Sequence, residues 1–155
     1  MLPTELTGGF AHSCEAAIFI WLLTFFFGLC WRKPAGSIFP IFTGLGSLLL
    51  LISGITGTIV SFTLPLPWFL GVSGISFTID PLSRWFLCII GLIGIPVAFF
   101  TPGYLKHLKH RVSVNYVWAS LTLLMASMSG VVLAANAIVF LVAWELMALS
   151  SFTLV

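Results

Sequence analysis

The residue with the clearest chemical potential is Glu145, the one acidic side chain deep within a long apolar run from Ala137 to Val155. If a helix opens near Asn136, nine residues at a rise of 1.5 Å carry the carboxylate about 14 Å along it. That depth is close to the middle of a hydrocarbon layer about 30 Å thick. A charged group there costs at least about 2.5–3.5 kcal/mol. Either protonation or a basic partner or polar cavity within reach must offset the cost. The residues one turn away, Leu141, Val142, Ala148 and Leu149, offer no such partner. Arg84 is expected at the opposite surface and the remaining basic residues in loops, so the partner of Glu145 is expected outside these 155 residues. Ser127 and Ser129 fall at a similar depth on the preceding span, either as polar support for Glu145 or as small packing residues. From the residues alone, Glu145 is either a proton or cation site or a protonated carboxyl bridging two helices.

Other reactive types are sparse. Asp80-Pro81 reads as a helix start, an N-cap acceptor followed by proline at the first helical position. His107 and His110 stand three apart, but two ligands do not make a metal site, and a basic loop near anionic headgroups explains them. His12 is isolated. Cys14, Cys30 and Cys88 are widely separated and read as small apolar packing residues. Neither a G-x-x-x-x-G-K phosphate loop nor a G-x-S-x-G elbow is present. No metal or cofactor is expected in this chain.

The elements that must position Glu145 follow from composition. Of 155 residues, 60% are hydrophobic and 6% charged, and the mean hydropathy is +1.20. A soluble domain carries about a quarter charged residues, so the lipid bilayer is the first partner. Six basic and four acidic residues leave a net charge of +2, with no basic stripe for nucleic acid. The N-terminal segment has Glu5 and Glu15 but no Lys or Arg, the wrong sign for a secretory signal.

Charge-free stretches and prolines parse the chain into five membrane helices at about 16–31, 38–62, 82–100, 114–133 and 137–155, an all-α polytopic architecture. Ser53 and Gly57 have the spacing of small residues that lets membrane helices approach closely. Thr101-Pro102-Gly103 is expected to end the third helix, ahead of a basic loop from Lys106 to Arg111. Alternation of five spans puts Arg32, Lys33, Lys106, Lys109 and Arg111 on one side. The lysine and arginine bias of short loops then predicts an inner (plasma) membrane protein with its N-terminus outside. Arg84 is expected to pair with Asp80 at i, i+4. The six tryptophans suggest an interfacial belt, with Trp144 deeper and packed. An apolar run still in progress at Val155 predicts a truncated or split polypeptide.

Three strings occur in order: Ser76-Phe-Thr-Ile-Asp80-Pro-Leu-Ser83, Thr101-Pro-Gly-Tyr104-Leu and Trp144-Glu145-Leu-Met-Ala-Leu-Ser-Ser151. Together they resemble the antiporter-like, proton-translocating membrane subunits of respiratory complex I. The nearest likeness is to hydrogenase-4 component B and the formate hydrogenlyase membrane subunit. The resemblance covers about Ser76 to Val155 and implies a fragment of a fold of about fourteen helices, with inverted five-helix repeats. It also implies that Glu145 takes part in proton relay, paired with a lysine on a later helix in the missing remainder of the fold. Asp80 keeps its cap position in that pattern.

The function implied is that of a membrane subunit of a proton-translocating hydrogenase or NADH:quinone oxidoreductase-type complex. Electron transfer would occur in other membrane and peripheral subunits, which would hold any NiFe, iron-sulfur, flavin or quinone group. The alternatives are a monovalent cation/proton antiporter subunit and a non-catalytic membrane scaffold.

Overall fold

The computed structural model describes residues 4–30, 38–56, 60–64, 75–108 and 113–155, with side chains for 13–30, 38–56, 76–106 and 113–155. Long apolar runs without charge fold as helices, because a helix satisfies its own backbone polar groups where no water reaches them. The five are α1 (Thr4–Cys30), α2 (Ile38–Thr56), α3 (Pro81–Leu108), α4 (Val114–Leu133) and α5 (Ala137–Leu154). All five are long and apolar enough to cross a membrane. The protein is therefore an all-α, polytopic membrane chain.

Between α2 and α3 lies a two-stranded antiparallel ribbon, β1 (Val60–Leu64) with β2 (Ile75–Ile79), in the register Val60↔Ile79 to Leu64↔Ile75. The second helix was expected to reach residue 62, but it stops at Thr56. The cause is local: Val60-Ser-Phe-Thr-Leu64 and Ile75-Ser-Phe-Thr-Ile79 are near-copies, each alternating in polarity and rich in β-branched and aromatic types that suit a strand. β2 also ties to the α4–α5 turn through the Ala135 N–H and the Ser76 carbonyl, 2.9 Å apart.

The third helix departs from expectation in the other direction, running through Pro96 and Pro102 to Leu108. Each proline removes the backbone bond to the carbonyl four residues earlier, at Leu92 and at Ala98, a loss that membrane helices tolerate through local adjustment. Beside Pro102, the Thr101 hydroxyl donates to the Val97 carbonyl at 2.6 Å. The basic segment thus begins inside α3. Lys109, His110 and Arg111 lie outside the described residues, as do Arg32, Lys33, Gly57, Pro65 and Pro67.

Helices α1 to α4 close a ring, with contacts α1·α2, α2·α3, α3·α4 and α1·α4. Trp21, Leu50, Leu87 and Met125 meet at its centre. Phe39 and Trp118 stack with ring centroids 6.2 Å apart in a second cluster that includes Leu105. Of the expected Ser53 and Gly57 pair, Ser53 is completely buried and Gly57 lies outside the described residues; a close helix contact is made at Gly91. A Cβ built on Gly91 would stand 2.7 Å from the Leu51 backbone N and 2.7 Å from the Ser47 carbonyl, so α2 and α3 touch backbone to backbone. Buried hydroxyls on Thr43, Ser47 and Thr122 donate to carbonyls of their own helices, which makes polar groups tolerable inside the ring. Outside the ring, α5 has its one substantial contact among the described residues, on α4.

Candidate functional site

The α4–α5 hairpin sets the position of Glu145. Asn136 opens α5 by accepting the Val139 N–H on its side chain at 2.8 Å, an N-cap that fixes where the helix starts. Glu145 is then the ninth of eighteen residues, midway along the span. Two contacts fix the antiparallel register. A Cβ on Gly130 would be 3.3 Å from the Ala143 Cβ. The Thr153 hydroxyl, which lies 2.8 Å from the Ser150 carbonyl of its own helix, stands 3.1 Å from the Ser120 hydroxyl, so that one of the two hydroxyls donates to the other. In that register Ser127 falls opposite Leu146 and Ser129 opposite Trp144, so both serines share the depth of Glu145.

They do not share its face. The buried residues of α5 are Ala143 and Ser150, two turns apart on the side facing α4. Glu145 lies two residues beyond Ala143, about 200° around the helix at 100° per residue, and it is exposed. Ser127 donates to the Leu124 carbonyl at 2.9 Å and Ser129 to the Met125 carbonyl at 3.0 Å, so each hydroxyl proton serves its own helix. The structure therefore does not bring the serines to Glu145. Trp144, expected to pack, is also exposed, whereas Trp21 and Trp118, candidates for an interfacial belt, are completely buried. Trp85 alone among the described tryptophans is exposed beside a helix terminus, next to Pro81; Trp31 and Trp68 lie outside the described residues.

At the far end of α3, Asp80 accepts the Ser83 N–H at 2.6 Å, and the Arg84 N–H bonds the Asp80 carbonyl at 3.1 Å. This is an N-cap followed by proline at the first helical position. The Ser83 hydroxyl and then the Ser83 N–H hold the exposed Asp80 carboxyl below its ordinary value of 3.8. The same hydroxyl lies 3.0 Å from the Val132 carbonyl, and with one proton it serves one acceptor at a time.

Arg84 does not turn back to Asp80. Its Nε donates to the Gly54 carbonyl at 3.2 Å and its Nη2 to the Ile55 carbonyl at 2.8 Å. The guanidinium thereby closes the C-terminus of α2, and sequence spacing alone gave no sign of that long-range partner.

Among the described residues no three His, Cys, Asp or Glu side chains are grouped so that they could hold a metal ion. The side chains of His12, His107 and His110 are outside them. Cys14 is buried and Cys88 half-buried, as packing residues would be, but Cys30 is exposed.

This geometry defines a polytopic membrane protein with a carboxylate at mid-span on an outlying helix. Over 91 residues it is 42% identical to "Putative antiporter subunit mnhA2" of Staphylococcus aureus, a stretch covering 58% of this chain and 11% of the relative. The protein of the same name from Staphylococcus saprophyticus is 37% identical over 127 residues, which is 80% of this chain and 16% of the relative. A third, from Staphylococcus epidermidis, is 38% identical over 91 residues. The chain thus spans a small part of the length of the curated relatives it matches. No protein-family model matches it.

Proposed function

We propose that this chain is part of a monovalent cation/proton antiporter subunit of the complex I-like, antiporter-like family, acting with other membrane subunits, and that Glu145 is a proton relay in it. The observation that carries the reading is the place of Glu145. It lies midway along α5, on the face turned away from the four-helix ring, in a chain similar to proteins named as antiporter subunits.

A carboxylate at that depth is expensive unless it meets a counter-charge or takes up a proton. No Lys or Arg falls within the central part of any of the five helices. The face Glu145 occupies is open to protein beyond α1–α5, and the relatives are several times longer than this chain. A basic group supplied there would stabilise the carboxylate, and movement of that group would raise its proton affinity. Alternation of the two states takes up and releases a proton. Placing Lys106 and its neighbours in the cytoplasm puts the N-terminus outside the plasma membrane.

The hydrogenase-4 component B reading rests on the three motif strings, and the named relatives favour the antiporter instead. The deciding experiment replaces Glu145 by Gln in the full-length protein, assembled with its neighbours in everted membrane vesicles. Sodium-induced collapse of a pH gradient should fall at least tenfold. Wild-type exchange in the variant would leave a scaffold role. Proton pumping that requires an electron donor and ignores sodium would restore the hydrogenase-type reading.

A further inference from the structure

The α2–α3 pair carries an open groove of about 570 Å³ on the outer surface of the ring, within the range of small-molecule sites. Ile41, Gly44 and Leu48 form one wall, and Ile95, Phe99 and Pro102 the other. Gly44 leaves the trough open, because a Cβ there would meet only the Ala98 Cβ, at 3.6 Å. Phe99 and Ile41 stand 77% and 67% exposed, so the wall is unfilled by the protein itself.

One end of the groove points toward a charged residue on the same helix face. On α3, residues 95, 99, 102 and 106 follow the i, i+4, i+7, i+11 spacing of a single helix face. Exposed Lys106 therefore continues the groove-lining stripe by one turn. From Ile95 to Lys106 the rise is about 16 Å, close to the 15 Å or so of one leaflet's hydrocarbon. The other end has Asp80 and one arginine, Arg84, whose guanidinium is engaged by the α2 carbonyls.

We propose that this groove is a binding site for one anionic glycerophospholipid of the surrounding bilayer. An acyl chain lies between Gly44 and Phe99, and the phosphate headgroup pairs with Lys106. The apolar trough runs about 10 Å along α3 from Ile95 to Pro102, room for part of an acyl chain, and Lys106, one turn beyond it on the same helix face, supplies a positive charge where an anionic headgroup would sit. The inference rests on the membrane-spanning architecture and is independent of the antiporter reading.

The test uses the full-length protein extracted from its membrane in mild detergent, with bound lipid measured by native mass spectrometry. Phosphatidylglycerol should be retained and should resist exchange with excess phosphatidylcholine. Lys106→Gln should lower its occupancy about fivefold, from the loss of one headgroup charge, whereas Lys106→Arg should preserve it. Gly44→Leu should displace the acyl chain and release the lipid. Because Lys106 is at the surface, its variant tests the proposal even if Gly44→Leu fails to fold. Unchanged phosphatidylglycerol occupancy in Lys106→Gln, or equal retention of phosphatidylcholine by the wild type, would overturn the proposal. So would a photocrosslinker at Leu45 that labels protein rather than lipid.

Discussion

Arg84, at the start of α3, donates its Nη2 to the carbonyl of Ile55 at 2.8 Å, and so caps a helix 29 residues away. With Nε on the Gly54 carbonyl, the planar guanidinium covers two of the last acceptors of α2 and places a positive charge at the negative end of its dipole. Arg84→Gln should lower stability by about 1 kcal/mol. Arg84→Lys should recover part of that, because an ammonium lacks the fork that reaches both carbonyls. Denaturant unfolding in micelles checks both.

The closeness of α2 and α3 makes two glycines on that pair respond in opposite ways. Gly91→Ala would drive a methyl into the Leu51 and Ser47 backbone at 2.7 Å and force the helices apart. The expected cost is about 1–3 kcal/mol, as for other overpacked sites. Gly44→Ala places its methyl at an ordinary 3.6 Å from Ala98 and should stabilise the helix by about 0.5–1 kcal/mol. Equal thermal shifts for the two variants would contradict the packing described.

Acid should weaken the N-cap of α3. Asp80 is held below 3.8 by the Ser83 hydroxyl and N–H, so its folded value is depressed relative to the unfolded chain. A depressed carboxylate contributes stability that is complete above the unfolded value and lost as pH falls through the folded one. Asp80→Asn retains a capping oxygen but cannot titrate, and should flatten this part of the acid limb. Asp80→Ala should lower stability at neutral pH as well. Unfolding midpoints measured across the acid range for the three proteins distinguish these outcomes.

The count of five helices was legible because apolar length without charge is nearly sufficient to specify a membrane span. The ribbon was not, since hydropathy does not separate a strand from the end of a helix. The usable signal was the repeated Ser-Phe-Thr at 61–63 and 76–78, which pair in register. Continuation of α3 through Pro102 was equally hidden, because a proline that would end a helix in water is tolerated inside a membrane span. The depth of Glu145 could be counted from Asn136. Its outward face could not, because that depends on which side of α5 meets Gly130. The same limit explains Ser127 and Ser129: depth follows from rise per residue, but partnership depends on rotation about the helix axis.

That rotation separates function from stability at the α4–α5 hairpin. Glu145 is exposed on the side of α5 opposite Ala143, so Glu145→Gln removes charge without disturbing the packing that holds α5 in place. Its effect on unfolding should stay within about 0.5 kcal/mol, while the proposed proton exchange is lost. Gly130→Leu should do the reverse in origin: the larger side chain meets Ala143, already 3.3 Å from a modest Cβ, and pushes α5 off α4. Both stability and transport should then fall together. The Thr153–Ser120 bond at the other end of the hairpin should contribute about 0.6 kcal/mol in a double-mutant cycle with Thr153→Val and Ser120→Ala. Substantial destabilisation by Glu145→Gln would place the carboxylate in a structural contact and remove the basis for its relay role.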